Sequence, residues 1–323
     1  MFNSIQNKNA DITQRISDKI GGFYSMPGTA YTVGAIVGQT AGLPLIPSNT
    51  KGVNSQNLNN EILKNAYSLG EVLEKVGYKN YFMMGSDKYF ADRAGYLLSH
   101  GNYEIFDFYS AIDRGYISDN YDINWWGFED KKLFEYAKIE LEQIAKKDEP
   151  FNFSLLTVDT HPNDGYLDET CQIDSDLSNY ENVYRCNSSM LSDFIKWIKK
   201  QPFYKNTTIV ITGDHLNMVV NNIHENIPND YERTVLNVFI NSAITTKCTK
   251  NRIHTTFDMY PTTLAALGAI IDGERLGFGT NLFSCEETLA EHIGINCLNQ
   301  ELMKNSSYYK LCLLYDICNT KRL

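Results

Sequence analysis

Asp214 and His215 stand side by side directly after Gly213. A carboxylate next to an imidazole is half of the donor set that a divalent metal ion requires. The same dipeptide also suits a strand-ending turn in which the aspartate caps the next helix and the histidine is incidental. His161, in the run Asp159-Thr160-His161-Pro162, adds a second imidazole. Arg93 closes the run Gly85-Ser86-Asp87-Lys88-Tyr89-Phe90-Ala91-Asp92-Arg93 and offers a planar fork that matches phosphate, although a surface arginine would read the same way. Thr29 follows Pro27-Gly28 at an expected helix start. There it is either an N-cap or a nucleophile whose phosphorylated form the helix N-terminus would favour. Arg233 and His254 are weaker candidates, because loop ion pairing and core packing account for them equally well. Together these groups could perform metal-assisted phosphoryl chemistry.

The elements around them explain how they would meet. Thr208 to Thr212 is a β-branched run without polar alternation, the pattern of a strand buried on both faces. Phe151 to Val158 reads likewise, so His161, Asp214 and His215 leave the same edge of a sheet. Tyr78 to Met84 and Val235 to Ile240 are further strands. Helical periodicity runs over Asn57 to Val76, Asp130 to Lys147 and Met190 to Lys200, and an alanine- and leucine-rich helix follows His254 to Thr262. The small-residue run from Thr29 to Gln39 suits a helix packed closely on a sheet. Strands alternating with helices predict an α/β fold, a mostly parallel sheet with helices on both faces.

The bulk numbers narrow the function classes. A chain of 323 residues with 43% hydrophobic residues can bury a large core, and its net charge of -10 argues against a nucleic-acid partner. No apolar run reaches the length of a membrane span, and the first residues lack the apolar stretch of a signal peptide. Five of the 7 cysteines lie in the last quarter, and none forms a Cys-x-x-Cys pair. Cys171 and Cys186 flank a polar loop as a stapling disulfide would, which favours an extracytoplasmic compartment; scattered reduced thiols are the alternative. Residues 1–285 read as one catalytic domain and 286–323 as a cysteine-containing, helical extension held by disulfides.

With those residues placed, the chain resembles the alkaline phosphatase/sulfatase superfamily, and within it the periplasmic phosphoglycerol and phosphoethanolamine transferases. The branch that modifies periplasmic glucans is the nearest; lipoteichoic acid synthase is more distant. The resemblance runs from about Gly22 to Phe283 and rests on five segments in order: Pro27-Gly-Thr-Ala-Tyr-Thr-Val-Gly34, Gly85 to Arg93, Asn124-Trp-Trp-Gly127 with Asp130, Thr157-Val-Asp-Thr-His161, and Gly213-Asp-His-Leu216 with Met218. The Cys171 to Cys186 loop resembles the glucan-modifying branch too.

This resemblance implies that Thr29 is nucleophile and metal ligand, that Asp214 and His215 are further ligands of one divalent ion, Zn or Mn, and that Arg93 and His161 hold the substrate phosphate. It further implies an anionic phospholipid as headgroup donor, a glycan or lipid as acceptor, an extracytoplasmic location at the inner membrane, and membrane contact through an upstream segment. One departure stands out. The family opens this domain with a strand ending in a carboxylate ligand, yet no Glu precedes Glu61 and nothing before Thr29 reads as that strand. The chain is therefore expected to be a fragment or to carry an incomplete site, and a non-catalytic remnant is one alternative reading. A hydrolase on the same fold is another; against a typical sulfatase, no Cys/Ser-x-Pro-x-Arg segment occurs.

Overall fold

A computed structural model describes residues 22–46, 62–123, 126–218, 232–245, 248 and 252–314. Two three-stranded sheets form its centre. In the first, β2 (Lys79–Met84) runs between β3 (Glu104–Phe106) and β4 (Phe151–Leu156), parallel to both. In the second, β6 (Val235–Ile240) lies between β1 (Gly22–Phe23) and β5 (Ile209–Thr212), antiparallel to both. Strand–helix–strand alternation thus yields parallel pairing in the first sheet, whereas β6 departs from it. A small hairpin, β7 (Arg275–Leu276) and β8 (Gly279–Thr280), lies apart.

Helices cover both faces, as the alternation requires. On one side α5 (Asp130–Ile144) and α6 (Asn179–Lys199) bury Leu133, Phe134, Leu141, Phe194 and Ile198. Against them pack Met83 and Phe153 of the first sheet together with Ile211 and Val238 of the second, so one core spans both sheets. The opposite face takes α1 (Thr32–Ala41), α2 (Leu69–Lys75), α3 (Arg93–Ser99) and α7 (Met259–Ala266), with a short α4 (Phe108–Asp113) following β3. The period-2 rule sorts the strands: Met83 faces one helical layer while Phe82 and Met84 face the other.

Despite the shared core, among the described residues β4 pairs only with β2 and β5 only with β6. Every residue of β4 is half-buried, and so are three of the four in β5, unlike the buried run in β2. Within the described residues, each of these strands keeps one edge without a ladder partner.

Several helices begin where the sequence signals a start. Ser68 with Glu71 and Ser178 with Glu181 form reciprocal capping boxes for α2 and α6. The Asn57 to Val76 helix is shortened, since Leu63 to Ala66 is a turn and residues 57–61 lie outside the described ones. In the C-terminal extension, α8 (Leu289–Ile293) and α9 (Ile295–Leu302) precede a π-helical turn, Tyr309–Leu314. A disulfide from Cys248 to Cys285 roots the extension, and the Arg252 guanidinium clasps Glu291 at 2.8 Å. Its tip returns to the body: the Tyr309 hydroxyl donates to Pro44 O at 2.6 Å, and Asn65 Nδ2 donates to Cys312 O at 2.8 Å. The Cys171–Cys186 disulfide is formed.

Candidate active site

The loop leaving β5 carries the acid–imidazole pair. Asp214 Oδ1 accepts the His215 backbone N–H at 2.8 Å, and Asp214 Oδ2 lies 3.4 Å from His215 Nε2. Since Leu216 O can only accept, the 2.8 Å bond to it fixes the proton on His215 Nδ1. Nε2 thus faces the carboxylate, and a backbone carbonyl holding the ring through Nδ1 is the arrangement that orients a ligating imidazole. A third oxygen joins them. Thr32, the first residue of α1, donates from Oγ1 to Asp214 Oδ2 at 3.0 Å. One face of α1 is pinned to the strand end, because Gln39, seven residues on, donates to Gly213 O at 2.9 Å.

Thr29 does not reach this cluster. The helix starts at Thr32, with Tyr31 in the capping position, so Thr29 precedes its expected place by three residues. It is fully buried. Its hydroxyl accepts from Met26 N and donates to Met26 O, both at 2.9 Å, and lies 3.1 Å from the Thr256 hydroxyl. Thr29 also fills the gap under Gly38, where an added Cβ would meet its methyl at 2.9 Å.

His161 and Arg93 belong to a second group. His161 Nδ1 donates to Pro162 O at 2.5 Å, and its ring lies 4.8 Å from Trp126. Trp126 packs edge-on to Phe90 at 5.3 Å, and Arg93 sits under Phe90 with its guanidinium 5.5 Å from the ring. The buried Arg93 donates to Phe90 O, Ser86 Oγ and Asp87 O, so it braces its own loop; burial lowers its pKa to about 10. Asn124 and Trp125 of the expected signature lie outside the described residues. Tyr180 of α6 ties the two groups together. Its hydroxyl donates to Thr160 O at 2.5 Å, beyond β4, and accepts from Asn217 Nδ2, beyond β5. Arg233 joins the same corner through Asn217 O at 2.8 Å.

Sequence reasoning missed Tyr180, Asn217 and a buried acid pair. Asp130 accepts from Val158 N at 2.7 Å, Asp159 N at 3.0 Å and Asn187 Nδ2 at 2.7 Å, and Asp159 accepts from Asp130 N at 3.1 Å. Burial raises both carboxyl pKa values, and mutual repulsion adds to the shift at Asp159. The pair clamps the β4 exit just before His161. His254 is a core residue: it is fully buried, its Nε2 sits 2.8 Å from Asn237 Nδ2, and burial lowers its pKa to about 4.

Among the described residues no group of three His, Cys, Asp or Glu side chains could hold a metal. Asp214, His215 and Thr32 offer three oxygen and nitrogen donors of the types that suit zinc or manganese, one short of a tetrahedral set. No described helix is long and apolar enough to cross a membrane.

Helices over both faces of the sheet and an acid–imidazole pair at a strand end define an α/β fold of the alkaline phosphatase type. The chain belongs to the sulfatase family, whose model matches residues 28–269. It is 34% identical over 200 residues to phosphoglycerol transferase I of Escherichia fergusonii, and 33% identical over 200 residues to that of Citrobacter koseri. Each match covers 60% of this chain and 25% of the relative, so the chain spans about a quarter of these relatives' length. Among solved structures, the lipoteichoic acid synthase LtaP of Listeria monocytogenes is similar with a TM-score of 0.62 at 19% identity, over 84% of this chain and 69% of that one. An alkaline phosphatase superfamily protein from Vibrio parahaemolyticus gives 0.57 at 23% identity, over 77% and 59%. Both are likenesses of fold.

Proposed function

We propose that this chain is the catalytic core of a metal-dependent phosphoglycerol transferase in which Thr32, not Thr29, is the nucleophile. One observation carries the reading: the Thr32 hydroxyl lies 3.0 Å from Asp214 Oδ2 at a helix start, while the Thr29 hydroxyl is spent in the core. Asp214, His215 and Thr32 would hold one Zn or Mn ion, with a further carboxylate from outside the described residues. Bound there, the ion would lower the hydroxyl's pKa and withdraw charge from a phosphoryl oxygen.

Thr32 Oγ1 attacks the phosphorus of a phospholipid headgroup. The Oγ1–P bond forms, the bond from phosphorus to the diacylglycerol oxygen breaks, and the threonine proton passes by way of Asp214 to the departing diacylglycerol. A glycan or lipid hydroxyl then attacks the same phosphorus: the new O–P bond forms, the Thr32 Oγ1–P bond breaks, and the acceptor's proton passes to Thr32 Oγ1. His161 orients the phosphate, Arg93 contributes positive charge from the loop it braces, and Tyr180 keeps the His161 loop in register with the Asp214 loop. Phosphoethanolamine is the alternative headgroup. The Cys171–Cys186 and Cys248–Cys285 disulfides and the family support an extracytoplasmic location, with membrane contact through a segment outside the described residues.

The test is to incubate metal-loaded Thr32→Val and Thr29→Val proteins with phosphatidylglycerol and map the phospho-adduct by peptide mass spectrometry. The adduct should vanish in the first and persist on Thr32 in the second. An adduct on Thr29, or its persistence in Thr32→Val, would overturn the assignment.

A further inference from the structure

The start of α1 carries Thr32, yet no side chain caps it and no acidic residue lies in its first turn. The far end of the helix is fixed, since Gln39 donates to Gly213 O and Phe278 N donates to Gly42 O at 2.8 Å. At 1.5 Å per residue the start lies about 10 Å from Gln39, so a tilt of about 6° would move Thr32 by about 1 Å. Two supports resist that tilt. One is Thr29, bonded to Met26 and Thr256. The other is the segment 44–46. Leu45 turns both of its backbone groups to the helix start: its N–H donates to Gly28 O at 3.1 Å, and its carbonyl accepts from the Tyr31 hydroxyl. The fit is close there, because a Cβ on Gly28 would meet Pro44 Cβ at 2.7 Å. The neighbouring Pro44 carbonyl and Ile46 N–H are both taken by one residue of the C-terminal extension. The Tyr309 hydroxyl donates to Pro44 O at 2.6 Å and accepts from Ile46 N at 3.0 Å. Apolar packing reinforces the joint: Leu313, Leu45, Val33 and Val37 are buried in one cluster, with Tyr31 and Tyr309 packed against it.

We propose that Tyr309 is a positioning residue for Thr32: the extension holds segment 44–46, that segment holds the start of α1, and the start keeps the Thr32 hydroxyl at Asp214. For the role of Thr32 this rests on the transferase reading; for the mechanical link it does not. A phenol suits the task because its one oxygen donates and accepts at once, which bridges two backbone groups two residues apart. Tyr309 touches no reacting group, so its effect falls on the rate of the chemical step and not on donor binding. The extension thereby becomes a control on the site. Whatever detaches it, a cut in the extension included, slows transfer from a distance.

The test compares the native full chain with Tyr309→Phe, which keeps the ring and loses the hydroxyl. Hydrogen exchange read by mass spectrometry should quicken in peptides covering 28–37 and stay native in those covering 79–84. With metal-loaded proteins and phosphatidylglycerol, single-turnover formation of the Thr32 adduct should slow about tenfold, as a small misplacement of a reacting atom does, at an unchanged half-saturating lipid concentration. Tyr31→Phe acts through the same segment, so the double variant should lose little more than either single one. Unchanged exchange at 28–37 would overturn the proposal. So would a native adduct rate, a shifted half-saturation, or exchange raised equally throughout the chain. Thr32→Val separates the two readings. If it still forms an adduct, or if the native chain forms none, the nucleophile assignment fails, and exchange at 28–37 alone then decides whether Tyr309 holds the helix start.

Discussion

Among the described residues β4 and β5 each keep an unpaired edge, and a strand added there should stabilise this chain and sharpen its metal site. Alternate residues of the six in β4 and the four in β5 turn toward their unpaired edges, presenting together about five N–H and five C=O groups. Paired on both sides, such a strand would close about ten hydrogen bonds of about 1 kcal/mol net each. Ordering about six residues costs roughly 6–12 kcal/mol, so hydrogen bonding and ordering nearly cancel and apolar burial against the core supplies the net gain. The perturbation is to fuse upstream of Met1 a linker and a β-branched strand ending in Glu. Hydrogen exchange read by mass spectrometry should then slow selectively in peptides covering 151–156 and 209–212. Isothermal titration with Zn or Mn should show tighter binding for the Glu-ended strand than for a Gln-ended control. Unchanged exchange in both peptides would refute the open-edge reasoning. Tight stoichiometric metal binding by the unextended chain would show that the fourth ligand is already present.

Three further outcomes arise from the packing. His254 is held neutral: its pKa falls from 6.5 to about 4 in the fold, so stability is lost as pH drops from 6.5 through 4, by about 3 kcal/mol at full protonation. Asp258, raised to about 6, acts in the opposite direction, so the check is the difference in urea unfolding between native protein and His254→Gln across that window; parallel pH curves would refute it. Replacing Cys171 and Cys186 by Ser should cost about 3 kcal/mol in the chain-entropy model for a separation of 15 residues, read from the denaturation midpoint. Arg252→Met should release the extension, since Arg252 holds Glu291 together with Ser284 O and Glu286 O; cleavage after 286 in limited proteolysis, with the core intact, is the expected pattern.

Much of this was legible where one physical rule dominates. Val235–Ile240 has the bounds its apolar run indicates, and the Asp214–His215 pair does leave a strand end. Thr29 against Thr32 was not legible, because both come after the Pro27-Gly28 turn and helix propensity does not say which threonine opens the helix. The separation of Thr32 from Gln39, two helical turns, was the available clue: two of the three polar residues of a mostly apolar helix share one face. The first half of α6 was missed because Asn179 to Ser189 is polar, although Ser178-x-x-Glu181 announces its start. Asp130 and Asp159 meet through the packing of α5 onto the end of β4, a contact between positions 29 apart in sequence.

The Cys248–Cys285 bond also decides how the molecule would carry mechanical load. Tension applied beyond residue 314 would first peel Tyr309 from Pro44, then α9 and α8, and would arrive at Cys285. From there the covalent path runs straight to Cys248 and bypasses the intervening segment. That shielded stretch holds α7, the β7–β8 hairpin, His254 and the Thr256 that touches Thr29. Pulling on the C-terminus would strip the extension while leaving the packing beneath α1 out of the line of force.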